Sequence, residues 1–308
     1  MPGHLPAISA GTMRASTEVF RCLLCGRSPL DSHGTRWACR RCGHVYPLED
    51  EIPILVRSRE AHEGELERAR ATKPNWYLSE QPIEEASPWR HHVRKRRLYV
   101  EAAIGRYLRA LERTRAETLL DLGCGDGNHL EYLRGYAEAC FGSDFNLVRL
   151  ARARRRRPDV VLFLADILDY PCQDDAFEII FFNHVLEHIP RDEAALATVF
   201  RILRPHGLLV LGTPNEGVWW WQLAYRLQPQ TLATTDHVHF YTAETLGAKL
   251  VQQGFTLLET AHMGWGPPHW GIDGRVRRFK VLDDLFEAIG RRLCPRQASS
   301  LYVLATKR

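Results

Sequence analysis

Apolar and polar positions along this chain fall into blocks whose period changes. From about residue 94 to 111 the pattern is helical: Val93, just before it, and Val100, Ile104, Tyr107, Leu108 and Leu111 share one face, which predicts an amphipathic helix. Short, nearly continuous apolar runs follow at 118–121, 140–144, 160–166, 177–183 and 207–212, the pattern of strands buried on both faces. Helical pattern separates them: from Leu130 onward, over 146–154, and over 191–203. Strands alternating with helices at this spacing predict βαβ units and a mostly parallel, doubly wound α/β sheet. Ligands of such sheets bind at the carboxyl ends of the strands. Asp121, Asp144, Asp166 and Asn183 all fall at those ends.

The first strand runs into Asp121-x-Gly123-x-Gly125-x-Gly127, and apolar Leu130 and Leu133 follow. Glycines permit positive φ and close approach of a ligand to the backbone. A helix start beyond the turn offers unpaired N–H groups. A dinucleotide fingerprint is the rival reading of such a turn. Asp144, about 20 residues further on, is placed to accept hydrogen bonds from both hydroxyls of a ribose.

Upstream of this core the pattern is different. Residues 1–18 are rich in Gly, Ser, Ala and Pro without a period, and are expected to form a disordered tail. Cys22-x-x-Cys25 and Cys39-x-x-Cys42, thirteen residues apart, can place four thiolates tetrahedrally about one structural Zn²⁺. Gly26 and Gly43 follow each pair where a tight turn needs a permissive backbone, and Trp37, Val45 and Tyr46 lie on the flanking strands. A module over 19–56 has too little core to fold alone, so a metal would supply the missing stability. Residues 57–93 read as a charged linker or as helices capping the ligand site, with an exposed helix over 59–70 and Trp76, Tyr77 and Trp89 as apolar anchors.

Composition changes this picture little. At 308 residues the chain can bury a sizeable core, and a net charge of +4 does not by itself argue for nucleic acid. Two basic runs, 91–97 and 152–157, could form nucleic-acid patches, but solvated helix faces are the preferred reading. No apolar run approaches membrane-spanning length, and the first residues lack the pattern of a secretory signal. A cytoplasmic setting is therefore expected, which favours zinc over disulfides; Cys124, Cys140, Cys172 and Cys294 are scattered and read as buried or incidental thiols.

The spacing at Asp121–Gly127 resembles motif I of the class I S-adenosylmethionine (SAM)-dependent methyltransferases, and the downstream segments are similar too. Val185-Leu-Glu-His188-Ile-Pro190 resembles the V-L-E-H-I/V-P segment of the large group that includes ubiquinone-type O-methyltransferases. Residues 201–209 resemble its L-K-P-G-G turn, with His206 in place of the first glycine. The likeness covers roughly 95–262 and the last strand, 301–306. It implies a Rossmann-like, seven-stranded sheet closed by an antiparallel last strand. It implies SAM contacts from Asp121, Gly123, Cys124, Gly125, Gly127, Asp144, Phe145, Asp166, Ile167 and Asn183, with adenine at Asp166 and Ile167. His184 and His188 are its candidate bases. The run 46–56 resembles the tail of the Trm112-like zinc ribbons that accompany methyltransferases.

The expected domains are the tail 1–18, the ribbon 19–56, the linker 57–93 and a methyltransferase domain 94–308 with insertions near 214–240 and 263–298. The insertions carry Trp219, Trp220, Trp221, Tyr225 and the pair His237 and His239, which is a weak metal candidate, then a helix with Leu282, Leu285, Phe286, Ile289 and Leu293 on one face. Aromatics with a few polar groups suit an apolar or ring-bearing acceptor. The expected activity is methyl transfer from SAM to a small molecule, or to one linked to a lipid or sugar. The alternatives are an RNA methyltransferase gripping RNA with its ribbon, and a non-catalytic SAM-binding or docking protein. The acceptor, the atom methylated and the oligomeric state stay open.

Overall fold

The computed structural model describes residues 18–26, 30–33, 36–72, 78–230, 236–267 and 270–308. The expected tail and the anchors Trp76 and Tyr77 lie outside the described residues, Glu18 excepted. A four-stranded sheet comes first, in the order β1 (Leu30–His33), β2 (Arg36–Cys39), β3 (Val45–Glu49) and β4 (Ile52–Pro53). The seven remaining strands are β5 (Ala116–Leu122), β6 (Ala137–Asp144), β7 (Val161–Leu164), β8 (Phe177–Asn183), β9 (Leu203–Pro214), β10 (Phe255–Met263) and β11 (Ser300–Lys307). Their order is β10-β11-β9-β8-β5-β6-β7. β6 pairs parallel with β5 and with β7, whereas β11 runs antiparallel to β10. This is the mixed, Rossmann-like sheet that the apolar runs and the likeness imply.

By contacts the chain forms two compact units. One comprises residues 1–81, 108–181 and 197–207; the other comprises 82–107, 182–196 and 208–308.

In the first unit the core strands bury apolar side chains; Leu119, Leu120, Phe141, Phe163, Phe177 and Phe181 are all buried. The helix Leu147–Arg156 is capped by Asn146, whose side chain accepts from Arg149 N. The helix after the glycine turn is shorter than its pattern suggests: Leu130–Leu133 is one turn, continued by a 3₁₀ turn at Arg134–Tyr136. The four-stranded sheet is joined to this core. Ile54 bridges parallel to Leu164, so the chain leaving β4 covers the edge of β7, and Phe20 bridges to Cys172. Phe20 is fully buried, its ring 4.9 Å from both Trp37 and Phe163.

The basic run 152–157 is not a solvated face. Arg152 and Arg156 reach Asp126, Arg154 donates to the carbonyls of Pro158 and Val160, and Arg157 pairs with Glu131. These guanidiniums satisfy loop carbonyls and carboxylates, which a nucleic acid would have to displace.

In the second unit the helix Arg90–Ala110 begins. Its run 91–97 is likewise engaged: Lys95 Nζ lies within 2.8 Å of Asp283, Asp284 and Glu287, and Arg97 pairs with Glu84. The helix Lys280–Leu293 therefore packs through Asp283 and Gly290, both buried. Trp265 occupies the space a Cβ at Gly290 would fill, and its Nε1 donates to Cys294 O. On the face that shares Leu282, Leu285, Phe286, Ile289 and Leu293, the residues Leu282, Leu285, Ile289 and Leu293 are exposed. The tryptophan run is split, with Trp221 buried and Trp219 exposed. Trp89 is exposed as well. Among the described residues, no helix is long and apolar enough to cross a membrane.

His92 is buried in this unit against Gly264, at a distance that excludes a Cβ there. Burial, and then the Arg96, Arg277 and Lys95 cations, hold its pKa well below the usual value. The unfolded chain therefore binds a proton below about pH 6.5 that the fold does not. The stability His92 contributes is complete above that pH and is lost progressively as pH falls from it toward the depressed pKa of the folded state. The urea midpoint is expected to drop between about pH 7.5 and about pH 5.5, and less steeply in His92→Gln. An equal slope in parent and variant would refute the assignment.

Candidate functional site

The glycine-rich turn and the acids around it lie in the first unit. β5 delivers Asp121, and the chain then turns through Gly123, Gly125 and Gly127 with φ of +76°, +54° and +79°. Gly127 also has no room for a Cβ, which would lie 2.9 Å from Ala153 Cβ. Gly123 N and Cys124 N donate to Ser143 O, which fixes the turn to the end of β6. There Asp144 accepts at each oxygen, Oδ2 from Gly125 N and Oδ1 from Asn146 N, both at 2.8 Å. Desolvation pushes the Asp144 carboxyl up, against those two donors.

Asp121 is buried and its Oδ2 has no hydrogen-bond partner. Burial, and then the Asp144 charge, push its carboxyl well above the ordinary range. A buried carboxylate oxygen without a donor costs at least about 1–3 kcal/mol unless a ligand satisfies it. A cationic or N–H-bearing ligand at this turn would do so, and the amino-acid end of SAM has that chemistry. Past β7, Asp166 caps the turn Ile167–Asp169 by accepting from Leu168 N; Ile167 is half-buried.

Sequence reasoning missed several groups here. Gln81 N donates to Asp126 Oδ2 at 2.6 Å, and the Gln81 and Arg149 side chains come within 3.5 Å of a Cβ built on Gly125. The segment before the core therefore reaches over the glycine turn. His62, on the helix Arg59–Thr72, is buried with its Nε2 unpartnered and its ring 4.3 Å from that of Phe145. Burial pushes its pKa down, opposed first by Asp166. A single histidine in a charged helix gave no periodic signal.

The four ribbon thiols converge. All four Sγ atoms lie within 4.8 Å of one another, with Cys22 to Cys42 at 3.6 Å and Cys25 to Cys39 at 3.5 Å. Tetrahedral zinc–thiolate bonds of about 2.3 Å set edges of about 3.8 Å, so the donors fit a Zn²⁺. Tyr46 Oη donates to Cys22 Sγ and accepts from Leu23 N, and Gly26 N and Gly43 N close the turns onto Cys22 O and Cys39 O. Such outer contacts orient ligands.

The second unit holds the candidate bases and Asn183. Asn183 ends β8, with its Oδ1 buried and unpartnered where a Cβ at Gly212 would collide with it. His184 adopts φ of +54°, rare for a non-glycine residue. Its Nε2 lies 3.0 Å from Arg96 Nη1, and a guanidinium can only donate, so Nε2 accepts and the proton sits on Nδ1, 3.3 Å from Glu187 Oε1. Burial pushes the His184 pKa down despite Glu187. His188 Nδ1 faces Asp236 Oδ2 at 3.2 Å. His237 and His239 are not brought together as a pair: the His237 ring is 5.0 Å from that of His188, whereas His239 Nδ1 faces Asp192.

Strand order and the glycine-rich turn define a Rossmann-like protein. The chain belongs to the methyltransferase-domain family, whose model matches residues 89–260. A probable SAM-dependent methyltransferase of Mycobacterium tuberculosis is 25% identical over 169 residues, 55% of this chain and 60% of that one. Trans-aconitate 2-methyltransferase of Variovorax paradoxus is 35% identical over 103 residues, 33% of this chain and 40% of that one. The chain thus spans less than two thirds of these relatives. Phosphoethanolamine N-methyltransferase 2 of Haemonchus contortus, solved with SAM, shares the fold at a TM-score of 0.51 and 16% identity, covering 83% of this chain and 61% of its own.

Proposed function

We propose that this protein is a SAM-dependent methyltransferase carrying a structural zinc ribbon. The observation that carries the reading is the pairing of a glycine-rich turn with two carboxylates, Asp121 with its Oδ2 unpartnered and Asp144 tied to the turn. Asp144 takes the ribose hydroxyls, Asp166 and Ile167 take the adenine, and the turn at 123–127 lies against the amino-acid end. Phe145 and His62 pack beside the nucleoside, and Cys124 contributes backbone. Asn183 presents its carbonyl oxygen at the end of β8. Zn²⁺, held by Cys22, Cys25, Cys39 and Cys42, stabilises the ribbon when bound.

Methyl transfer from a sulfonium is an in-line displacement, so the protein mainly positions the reactants. Where the acceptor must lose a proton, His188 is the better candidate, because the Arg96 guanidinium occupies the lone pair of His184 Nε2. The acceptor is a small molecule, or one linked to a lipid or sugar. The internal ion pairs of both basic runs weigh against RNA.

Calorimetric titration of the metal-replete protein with SAM and S-adenosylhomocysteine tests the reading. Saturable binding of both at about one equivalent is expected, and titration without heat or saturation for either would overturn it. Binding without turnover on any acceptor class would favour a docking protein instead.

A further inference from the structure

A second group of metal-ligating side chains lies in the second unit, apart from the ribbon. We propose that Glu187, His188 and His237 form a site for a divalent first-row metal ion, with open positions for water or an oxygen donor of the acceptor. One ligand atom from each lies within 4.8 Å of the others. Two histidines and a glutamate are a ligand set suited to such ions.

Three features point to an ion. Glu187 is buried, and its Oε1 accepts no hydrogen bond of good geometry although His184 Nδ1 stands 3.3 Å away. Its Oε2 is held by the Thr213 hydroxyl at 3.2 Å, so Oε1 is the oxygen left to coordinate. Next, His188 Nδ1 faces two acceptors, Asp236 Oδ2 at 3.2 Å and Asp236 O at 3.3 Å, which places the proton on Nδ1. The lone pair on Nε2 then faces Glu187 Oε1 at 4.0 Å, an arrangement that a cation between them stabilises.

The third feature is the outer shell. Asp236 backs His188, and Glu216 Oε1 lies 3.8 Å from His237 Nδ1. Carboxylates behind ligating imidazoles fix the tautomer and raise ligand basicity. The two segments are also pinned: Val238 N and His239 N donate to Glu187 O at 2.8 and 3.1 Å, which holds His237 beside the turn Leu186–His188. Bonds of about 2.1 Å need ligand edges near 3.4 Å, so small side-chain rotations complete the site.

The metal site stands on its own geometry, whereas its use in binding the acceptor rests on the methyltransferase reading; a His188 that ligates the ion through Nε2 has no free lone pair and does not then serve as a base. The probe is Mn²⁺ added to the 308-residue chain with its ribbon metal retained, with bound and free ion counted by electron paramagnetic resonance and no SAM present. About one equivalent is expected to bind to the parent. Affinity should fall at least 10- to 100-fold in Asp236→Asn, the range for lost outer-shell carboxylates, and further in His188→Ala and His237→Ala. Circular dichroism checks that each variant is folded. Absence of bound Mn²⁺ at millimolar concentration, or equal binding by parent and folded variants, would overturn the site. Because SAM is absent, that failure is distinct from a failure to bind SAM in the titration above.

Discussion

Asp144→Ala is expected to weaken binding of SAM and of S-adenosylhomocysteine by roughly 100- to 1000-fold, because hydrogen bonds to a charged group are worth about 1.5–3 kcal/mol each. Two effects combine. The carboxylate is the proposed acceptor for the ribose hydroxyls. It also joins the turn to the following helix, through Gly125 N and Asn146 N at 2.8 Å each. Alanine removes both functions, so the turn loosens as the ligand contact is lost. Asp144→Asn keeps one acceptor oxygen and the side-chain shape, and a smaller loss of about tenfold is expected. Calorimetry gives the affinities, and thermal melting of both variants separates local loosening from unfolding. Parent-like affinity in the alanine variant would remove Asp144 from the site and with it the proposed orientation of the nucleoside.

Stripping the ribbon of metal has the second large effect. Metal binding to such Cys₄ modules carries about 10–16 kcal/mol at neutral pH, and this energy is folding energy. Here the ribbon lends its apolar groups to a larger core. Phe20 lies 4.9 Å from Phe163 and 6.3 Å from Phe141, and Trp37 closes over it. If the sheet β1 to β4 melts, Phe20 and Trp37 reach water, at about 1.5–3 kcal/mol each. The first unit also loses the strand bridge from Ile54 to the edge of β7. A fall in melting temperature on the order of 10 °C is expected on chelation, with a rise in tryptophan exposure. Cys39→Ser should carry less than one equivalent of zinc by elemental analysis and melt near the chelated parent. A parent that contains no zinc, or melts identically with and without chelator, would refute a structural metal.

What the sequence determines by itself is what depends on neighbours along the chain. Apolar runs of strand length, the alternation with helices and the glycine spacing are local, and they predict the strands of the parallel sheet closely; β8 is Phe177–Asn183, as its apolar run requires. The two Cys-x-x-Cys pairs are legible for the same reason, since each pair fixes its own turn. His206 is instructive in another way: it adopts φ of +62° where the family resemblance has glycine, so the turn was readable although the residue was atypical.

Only the tertiary structure decides which side chains meet across long separations. Gln81 meets Asp126 and His62 meets Phe145 through packing of the segment before the core, which carries no periodic signal of its own. Both basic runs look like solvated or ligand-binding surface in one dimension, yet Lys95, Arg97, Arg152, Arg154, Arg156 and Arg157 are engaged by internal carboxylates and carbonyls. The period of the helix Lys280–Leu293 puts its apolar residues on one face but does not say where that face points; in the fold the buried side is the one with Asp283, paired with Lys95, and Gly290. His237 lies about fifty residues beyond the adjacent Glu187 and His188, and a backbone clasp at Glu187 O brings them together. Period and spacing report which face of an element can be apolar. Which charge finds which partner is settled by desolvation and Coulomb energy in three dimensions, and a one-dimensional pattern does not record it.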